Sequence, residues 1–255
     1  MTDTDELVHL SIDGGAATIT LDSPGNRNAL SAQLVAETSA HLTAAAADPA
    51  VRFVVLTHSS NTFCAGADLA ESAREGGPAK GTARLVALLR QIVEHPKPVA
   101  AQVEGNVRAG GLGLLAACDI AVVGRTSSFA FTEARIGVAP AIISLTVLPR
   151  MGDRAASPAF LTGERFDADE AARIGLVSRA VDDPASAVAE LAEAFAACSP
   201  QGLAETKRLT TRHLLAAFDR DADDLAALSA RLFASEEGQE GIAAFMERRP
   251  PRWAI

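Results

Sequence analysis

The sequence predicts an α/β protein with a mixed sheet, followed by a helical C-terminal region. Segments with strand and helix signals alternate in the first part of the 255-residue chain, helices dominate from Ile142 onward, and the composition changes near residue 185. Some connections have the composition of hairpins, which favours a mixed sheet with short ββα turns over a simple doubly wound sheet. Beyond that point apolar residues recur only at helical spacing. We therefore divide the chain into a core, residues 1–185, and a helical region, residues 186–255.

The N-terminal part of the core contains strong local signals. Asp13-Gly14-Gly15 separates two alternating runs, which predicts a β-hairpin of Leu7–Ile12 and Ala16–Leu21. Ser31 is suited to cap an alanine-rich helix that ends near Asp48. Further strands are expected at 52–57 and 98–103, and further helices at 82–94 and 110–118.

The C-terminal region is expected to form helices with apolar stripes. Their predicted ranges are 184–198, 203–217, 221–234 and 236–248. The stripes carry more apolar residues than one core needs, and a large exposed apolar surface normally marks an interface. The helices are therefore expected to contribute to assembly.

Composition narrows the classes of function. The net charge of −9 argues against nucleic acid as a partner, and no apolar run is long enough to span a membrane. Met1–Glu6 is acidic and resembles neither a secretory signal nor a transit peptide. Cys64, Cys118 and Cys198 form no CxxC pair, and the histidines show no ligand spacing. We expect a cytoplasmic protein without a metal.

Two glycine-rich turns dominate the core sequence. They are Phe63–Leu69 (FCAGADL) and Val103–Ile120 (VEGNVRAGGLGLLAACDI), and each joins a predicted strand to a predicted helix. The first N–H groups of a helix have no intrahelical partner, and glycine lets a ligand oxygen come close to them. Two such turns facing one another would form an oxyanion hole with two donors.

These turns, together with Phe129–Pro140 (FAFTEARIGVAP), resemble the crotonase family, the enoyl-CoA hydratase/isomerase superfamily. Asn28-Ala29-Leu30, Leu161-Thr162-Gly163 and Ala171–Val177 (AARIGLV) extend the resemblance over nearly the whole chain, in family order. The resemblance implies a spiral of ββα units and a helical C-terminal trimerisation region. It also implies a homotrimer or a dimer of trimers, in which the terminal helices help to close a neighbour's site.

The resemblance further implies an acyl-CoA thioester as substrate, with no separate cofactor because coenzyme A is part of that substrate. The amides of Ala65 and Gly110 would hold the thioester oxygen, and Glu133 would carry protons. The residues expected to contact the substrate or its CoA moiety are Arg27, Ala29, Ala65, Gly66, Ala67, Asp68, Leu69, Gly110 and Gly111.

Gly113 departs from the family pattern. Two-glutamate hydratases of this family carry a glutamate three residues beyond the oxyanion glycine, where this chain has Gly113. A single base remains, as in family isomerases and some one-glutamate hydratases. Residues 71–81 have the composition of a mobile flap, and their acids Glu71 and Glu75 are candidates for the missing carboxylate.

We therefore expect an enoyl-CoA hydratase of fatty-acid or branched-chain acyl-CoA catabolism, with Glu133 as its acid/base. A Δ3,Δ2-enoyl-CoA isomerase and a CoA-thioester-binding pseudoenzyme are the alternatives. A dinucleotide fingerprint at 111–116 is a weaker hypothesis, because it leaves the turn at 63–69 unexplained. A nucleophilic pair of Cys64 and His58 has no evident orienting acid.

Overall fold

The computed structural model describes residues 6–75 and 77–255. The expectation drawn from Met1–Glu6 therefore falls almost entirely outside the described residues, as does Gly76 within the predicted flap. In the described part, strands and helices alternate up to α8, and helices follow from there.

The strands are β1 (Val8–Asp13), β2 (Ala16–Leu21), β3 (Phe53–His58), β4 (Thr62–Cys64), β5 (Val99–Val103), β6 (Asn106–Arg108), β7 (Ile120–Gly124), β8 (Ser128–Ala130), β9 (Phe166–Asp167) and β10 (Arg179–Val181). The helices are α1 (Ala32–Ala47), α2 (Leu69–Arg74), α3 (Ala79–Glu94), α4 (Gly110–Ala117), α5 (Ser144–Val147), α6 (Asp153–Thr162), α7 (Ala168–Arg173), α8 (Pro184–Ala196), α9 (Pro200–Ala234) and α10 (Glu236–Glu247). Short 3₁₀ turns lie at Pro24–Asn26 and Glu133–Ile136.

Two sheets organise these strands. The larger has the order β1-β2-β3-β5-β7-β10 and is parallel except for the β1–β2 hairpin. The smaller has the order β4-β6-β8-β9, with β9 antiparallel to β8. Strands β3, β5 and β7 are each followed by a short strand of the smaller sheet and then by helical structure. The mixed architecture with ββα units is thus confirmed.

Local capping explains where the helices begin. The Ser31 hydroxyl accepts a hydrogen bond from the Leu34 amide at 3.3 Å, so the predicted cap of α1 is confirmed. The Asp68 carboxylate accepts one from the Glu71 amide at 2.9 Å and caps α2 in the same way. Both caps lie next to the glycine-rich turn between β4 and α2, which they help to fix.

The predicted flap at 71–81 is largely helical. Helix α2 continues to Arg74, and α3 begins at Ala79, before the predicted start. Arg84 of α3 donates two hydrogen bonds to Glu75, at 3.1 and 2.8 Å, and so ties the two helices together. The composition was misleading because a side-chain cap and an ion pair compensate for weak helix propensity. Mobility of this segment stays a prediction.

The two helices expected at 203–217 and 221–234 are one helix, α9. The intervening residues include neither glycine nor proline, and Phe218 is buried in the main core together with Leu214. Residues of α8 complete a second core on the larger sheet. The C-terminal helices therefore share both cores with the rest of the chain, and the division at residue 185 describes composition only.

Candidate active site

The two glycine-rich turns meet in the structure. Strands β4 and β6 pair in parallel, with Cys64 beside Val107, so the turns that follow them start side by side. A Cβ added to Gly66 would lie 2.8 Å from the Ala109 side chain, and one added to Gly110 would lie 3.4 Å from Gly66 Cα. Only small residues allow this approach. The turns therefore face one another as predicted.

The amide groups in the first turn differ in their hydrogen bonding. The Ala65 amide donates to the Arg27 carbonyl at 3.1 Å, so the prediction that Ala65 supplies an oxyanion donor does not fit the structure. Ala67 forms a parallel bridge with Leu30, and no acceptor for its N–H is found in the described part of the chain. Gly110 is the first residue of α4, where an N–H has no intrahelical acceptor.

Gly66 and Gly111 have packing roles. The Gly66 amide donates to the Cys64 sulfur at 3.4 Å, and its φ of +94° suits glycine. A Cβ added to Gly111 would lie 2.6 Å from the Cys64 carbonyl oxygen. Both residues lie between the turns, whereas the other predicted contact residues line a cavity. Their prediction as substrate contacts is therefore replaced by a role in holding the two turns together.

The loop before α1 is attached to the first turn. Asn28 is fully buried; its side chain accepts from the Ser23 amide at 2.6 Å and donates to the Thr62 carbonyl at 2.8 Å. Arg27 and Asn28 both have positive φ, at 60° and 53°, a conformation that these bonds stabilise. The loop thereby brings Arg27 and Ala29 into the wall of the cavity.

The cavity beside these turns has a volume of about 480 Å³. The turns, α2, α3, residues 132–143 and the two terminal helices form its wall. Most of that wall is apolar, and its large members are Leu30, Leu69, Leu85, Ile136, Val138, Ile142, Ile143, Phe233, Phe245 and Met246. A concave, mainly apolar site with a few convergent polar groups is typical of a small-molecule site.

Glu133 is the carboxylate best placed for chemistry in this cavity. Glu133 begins the 3₁₀ turn at 133–136, and only 9% of its surface is exposed. Burial raises the pKa of Glu133 to about 7, while a hydrogen bond from its own amide partly opposes the shift. Its Oε2 atom is buried without a hydrogen-bond partner among the described residues. A carboxyl group with a pKa near neutrality suits a general acid and base.

Gly113 lies against a hydrocarbon side chain. A Cβ added there would lie 2.5 Å from Ile143 Cγ2 and 3.5 Å from Leu89 Cδ1. Gly113 follows Gly110 by one helical turn, on the same side of α4, and Ile143 fills the space next to Gly113. A glutamate at position 113 would not fit unless Ile143 moved.

The two acids proposed as substitutes already have partners. Glu71 lines the cavity, accepts from the Ala32 amide at 2.8 Å and lies 3.6 Å from Arg84. Glu75 binds Arg84 through both oxygens, and this hydrogen bonding lowers the pKa of Glu75. Both carboxylates therefore stabilise the α2–α3 contact, which argues against the second catalytic carboxylate suggested for either.

The Cys64 hypothesis is not supported. Burial raises the pKa of the Cys64 thiol to about 12, which suppresses the nucleophilic thiolate. The His58 Nε2 atom accepts from the Glu104 amide at 3.0 Å and is thereby engaged elsewhere. In the described residues no group of three or more histidine, cysteine or acidic side chains is arranged to hold a metal. No helix there is long and apolar enough to cross a membrane.

Sequence reasoning missed the contribution of the terminal helices to this site. Ser229 and Phe233 of α9 and Phe245 and Met246 of α10 line the same cavity. The apolar stripes of these helices were a signal, but they were assigned to an interface. In the structure the helices fold over their own chain's cavity, which differs from the expected closure of a neighbour's site.

Comparisons with known proteins agree with this fold. The family model described as "Enoyl-CoA hydratase/isomerase" matches residues 11–254. An enoyl-CoA hydratase structure from Mycobacterium avium is 51% identical, with a TM-score of 0.92 and coverage of 98% of this chain and 100% of the other. A relative from Thermus thermophilus, named among the enoyl-CoA hydratases, is 38% identical, and the match covers 94% of this chain and 98% of the relative. With matches of this length to its turns, its sheets and its terminal helices, the chain belongs to the enoyl-CoA hydratase/isomerase family.

Proposed function

We propose that this protein is an enoyl-CoA hydratase that uses Glu133 as its single acid and base. The observation that carries the proposal is the buried, unpartnered carboxylate oxygen of Glu133 in a cavity that also contains the start of α4. Burial holds the pKa of this carboxyl at about 7, so both protonation states are accessible near neutral pH. The names of the family's relatives support the same reaction class.

The oxyanion donors in this proposal are the amides of Ala67 and Gly110. Both residues line the cavity, and their turns are in contact through Gly66. The Ala65 amide is excluded from the role by its bond to Arg27. Two fixed donors stabilise the charge that develops on a thioester oxygen, and the loss of one such donor typically costs about 3–4 kcal/mol.

The reaction then follows from these three groups. The Glu133 carboxylate takes a proton from water as the water oxygen forms a bond to C3 of the 2-enoyl thioester. The C2–C3 π electrons move towards the thioester, and the resulting enolate oxygen is held by the Ala67 and Gly110 amides. Glu133 returns its proton to C2, which restores the thioester. Because one residue handles both proton transfers, water adds in the syn sense.

The CoA moiety is assigned to the side of the cavity formed by the loop before α1 and the first turn. Arg27 and Ala29 lie there beside Ala65, Asp68 and Leu69. The Arg27 guanidinium offers a positive charge for phosphate. No separate cofactor enters this proposal, because CoA arrives as part of the substrate.

The substitution Glu133→Gln tests the proposal. It keeps the shape of the side chain but removes the proton carrier, so we expect binding of crotonyl-CoA to persist while turnover falls by a factor of ~10²–10⁴. In the wild type, kcat/KM should rise with pH as Glu133 ionises near pH 7. Loss of enoyl absorbance measures turnover, and Glu164→Gln, at an exposed residue, is the control. Unchanged turnover in Glu133→Gln would contradict the assignment.

Isomerisation of 3-enoyl-CoA is the second candidate, favoured by Ile143 beside Gly113. The hydrocarbon side chain of Ile143 fills the space in which a second, water-binding carboxylate would lie. A proton shift from C2 to C4 needs only Glu133 and the oxyanion donors. Assaying 3-hexenoyl-CoA beside 2-hexenoyl-CoA separates the two reactions, and binding without either conversion would indicate the CoA-thioester-binding pseudoenzyme.

A further inference from the structure

Two hydroxyl groups in the cavity wall have no function in the reaction described above. Thr82 of α3 is 9% exposed and Ser229 of α9 is 6% exposed, and both line the cavity. Neither hydroxyl bonds to another described residue, and neither oxygen is enclosed by protein atoms, so both can be reached from the cavity. Other helical hydroxyls in this chain bond back to the preceding turn, as Thr38 does to the Leu34 carbonyl at 2.7 Å and Thr211 to the Lys207 carbonyl at 2.8 Å.

A ligand that fills the cavity displaces water from the hydroxyls in its wall. A hydroxyl then left without a hydrogen bond loses the partners it had in water, which costs free energy, and nearly all buried polar groups in proteins are paired. Thr82 and Ser229 have Leu85, Phe233 and other hydrocarbon groups as neighbours in the wall. A ligand atom that enters the cavity and bonds to these hydroxyls would remove this cost.

The position of Thr82 along α3 places this pair away from the reacting carbons. Leu89 of the same helix lies against Gly113, one turn beyond the Gly110 donor. Thr82 precedes Leu89 by seven residues, which corresponds to about 10 Å along the helix axis. A bound acyl group would therefore meet Thr82 beyond its reacting double bond.

We propose that Thr82 and Ser229 bind a neutral polar substituent, a hydroxyl or keto group, carried by the acyl chain beyond the reacting double bond. This inference rests on the proposed function, because it names the acyl class that the same site accepts. A neutral group is favoured over a carboxylate, because Arg84 of the same helix is already paired with Glu71 and Glu75. The two hydroxyls can each donate to and accept from such a substituent.

The experiment compares 2-enoyl-CoA esters of six and eight carbons with and without a terminal hydroxyl. The measured quantity is the ratio of kcat/KM for the hydroxylated ester to that for the plain ester of the same length. Each hydrogen bond is expected to contribute a factor of roughly 2 to 10 to this ratio. The ratio should exceed about 5 for at least one length in the wild type, and fall to 1 or below in the variant carrying Thr82→Val and Ser229→Ala together.

Control variants separate this role from general packing. The conservative pair Thr82→Ser and Ser229→Thr keeps both hydroxyls and should retain most of the preference. Thr38→Val removes a buried hydroxyl that is bonded within α1 and should leave the ratio unchanged. Circular dichroism and the unfolding midpoint establish that each variant is folded.

The outcomes distinguish this inference from the proposed function. Hydration with a ratio near 1 at both lengths, or a preference for a terminal carboxylate, would overturn the inference and leave the hydratase assignment intact. If no ester is hydrated, calorimetric binding of the saturated hydroxylated and plain esters replaces kcat/KM. Tighter binding of the hydroxylated ester, lost in the double variant, would then support the inference while the hydratase assignment fails. Equal binding of both esters would overturn it.

Discussion

At the scale of single residues, the chemistry of Glu133 depends on its surroundings and not on a neighbouring charge. Burial is the main cause of its raised pKa, and no like-charged partner contributes to the shift. Val138, Ile142 and Ile143 are among the apolar residues of the same wall. The protein therefore keeps a carboxyl group partly protonated near neutral pH by excluding water from it.

The raised pKa predicts a pH-dependent stability. The folded state retains the Glu133 proton up to about pH 7, whereas an unfolded glutamate loses it near pH 4.5, so between these values the folded state binds more protons. Stability contributed by this group is therefore full below about pH 4.5 and falls as pH rises to 7, by on the order of 3 kcal/mol.

Glu133→Gln should remove this dependence. Urea unfolding at pH 5 and pH 8 should show the variant gaining stability over the wild type at the higher pH. Glu164→Gln, at an exposed position, provides the comparison. An equal difference between Glu133→Gln and the wild type at both pH values would contradict the prediction.

Gly113 and Ile143 should behave as a coupled pair. In Gly113→Ala the new Cβ meets Ile143 Cγ2 at 2.5 Å, an overpacking that typically costs about 1–3 kcal/mol and exceeds the gain of up to ~1 kcal/mol in helix propensity. In an Ile143→Ala background that methyl group is gone and only the Cβ of residue 143, at 3.0 Å, remains close, so the same change should destabilise much less. Urea midpoints of the four proteins measure the coupling; equal effects in both backgrounds would show that the residues are independent.

At the scale of elements, α9 is attached to the core by a buried cation. The Lys207 ammonium lies 2.7 Å from Asp119 and donates to the Ile92 carbonyl at 2.9 Å. Asp119 also accepts from the Val99 amide at 2.8 Å. Burial lowers the pKa of Lys207, and the Asp119 charge opposes that shift. The pair thus joins α9 to the end of α3 and to the start of β5.

Removal of one member of this pair should be costly. Lys207→Met leaves the mostly buried Asp119 charge without its counter-ion, and breaking a buried pair in this way costs about 3–5 kcal/mol. Lys80→Met, at an exposed position of α3, should change stability by less than about 0.5 kcal/mol. Urea denaturation of both variants tests the difference, and similar losses would show that the pair does not hold α9.

At the scale of the whole molecule, both the core and the terminal helices of one chain line the described cavity. Its core contributes the oxyanion turns and Glu133, and its terminal helices contribute Ser229, Phe233 and Phe245. Phe245 and Met246 remain about half exposed, at 54% and 57%. The trimer implied by the family resemblance remains a prediction.

This arrangement predicts that catalysis does not require a neighbouring subunit. Specific activity with crotonyl-CoA should stay constant from micromolar to nanomolar protein, even where light scattering shows that an oligomer dissociates. The reason is that the proposed acid/base, both proposed oxyanion donors and the apolar residues of the cavity lining belong to one chain. A loss of activity that parallels the loss of mass would show instead that a partner completes the site.

The sequence by itself determined the architecture and the residue proposed as acid/base, Glu133. Local hydrogen bonding and sterics determine several features that can be predicted from short segments of sequence. These features are the periodicity of strands and helices, the helix caps at Ser31 and Asp68, and the glycine-rich turns. Glu133 was identified from its position in Phe129–Pro140, a segment that resembles the crotonase family. Where local signals were weak, as in the predicted flap and the middle of α9, ion pairs and core packing overrode them.

Only the tertiary structure decided which groups face the ligand. The Ala65 amide is engaged by Arg27 and the space at Gly113 is filled by Ile143, and each partner lies in a distant part of the sequence. Thr82 and Ser229 likewise line one cavity although their helices, α3 and α9, are far apart along the chain. Hydrogen-bond acceptors and packing neighbours of this kind are set by how the chain folds back on itself, because a spacing pattern in the sequence contains no record of contacts between distant segments.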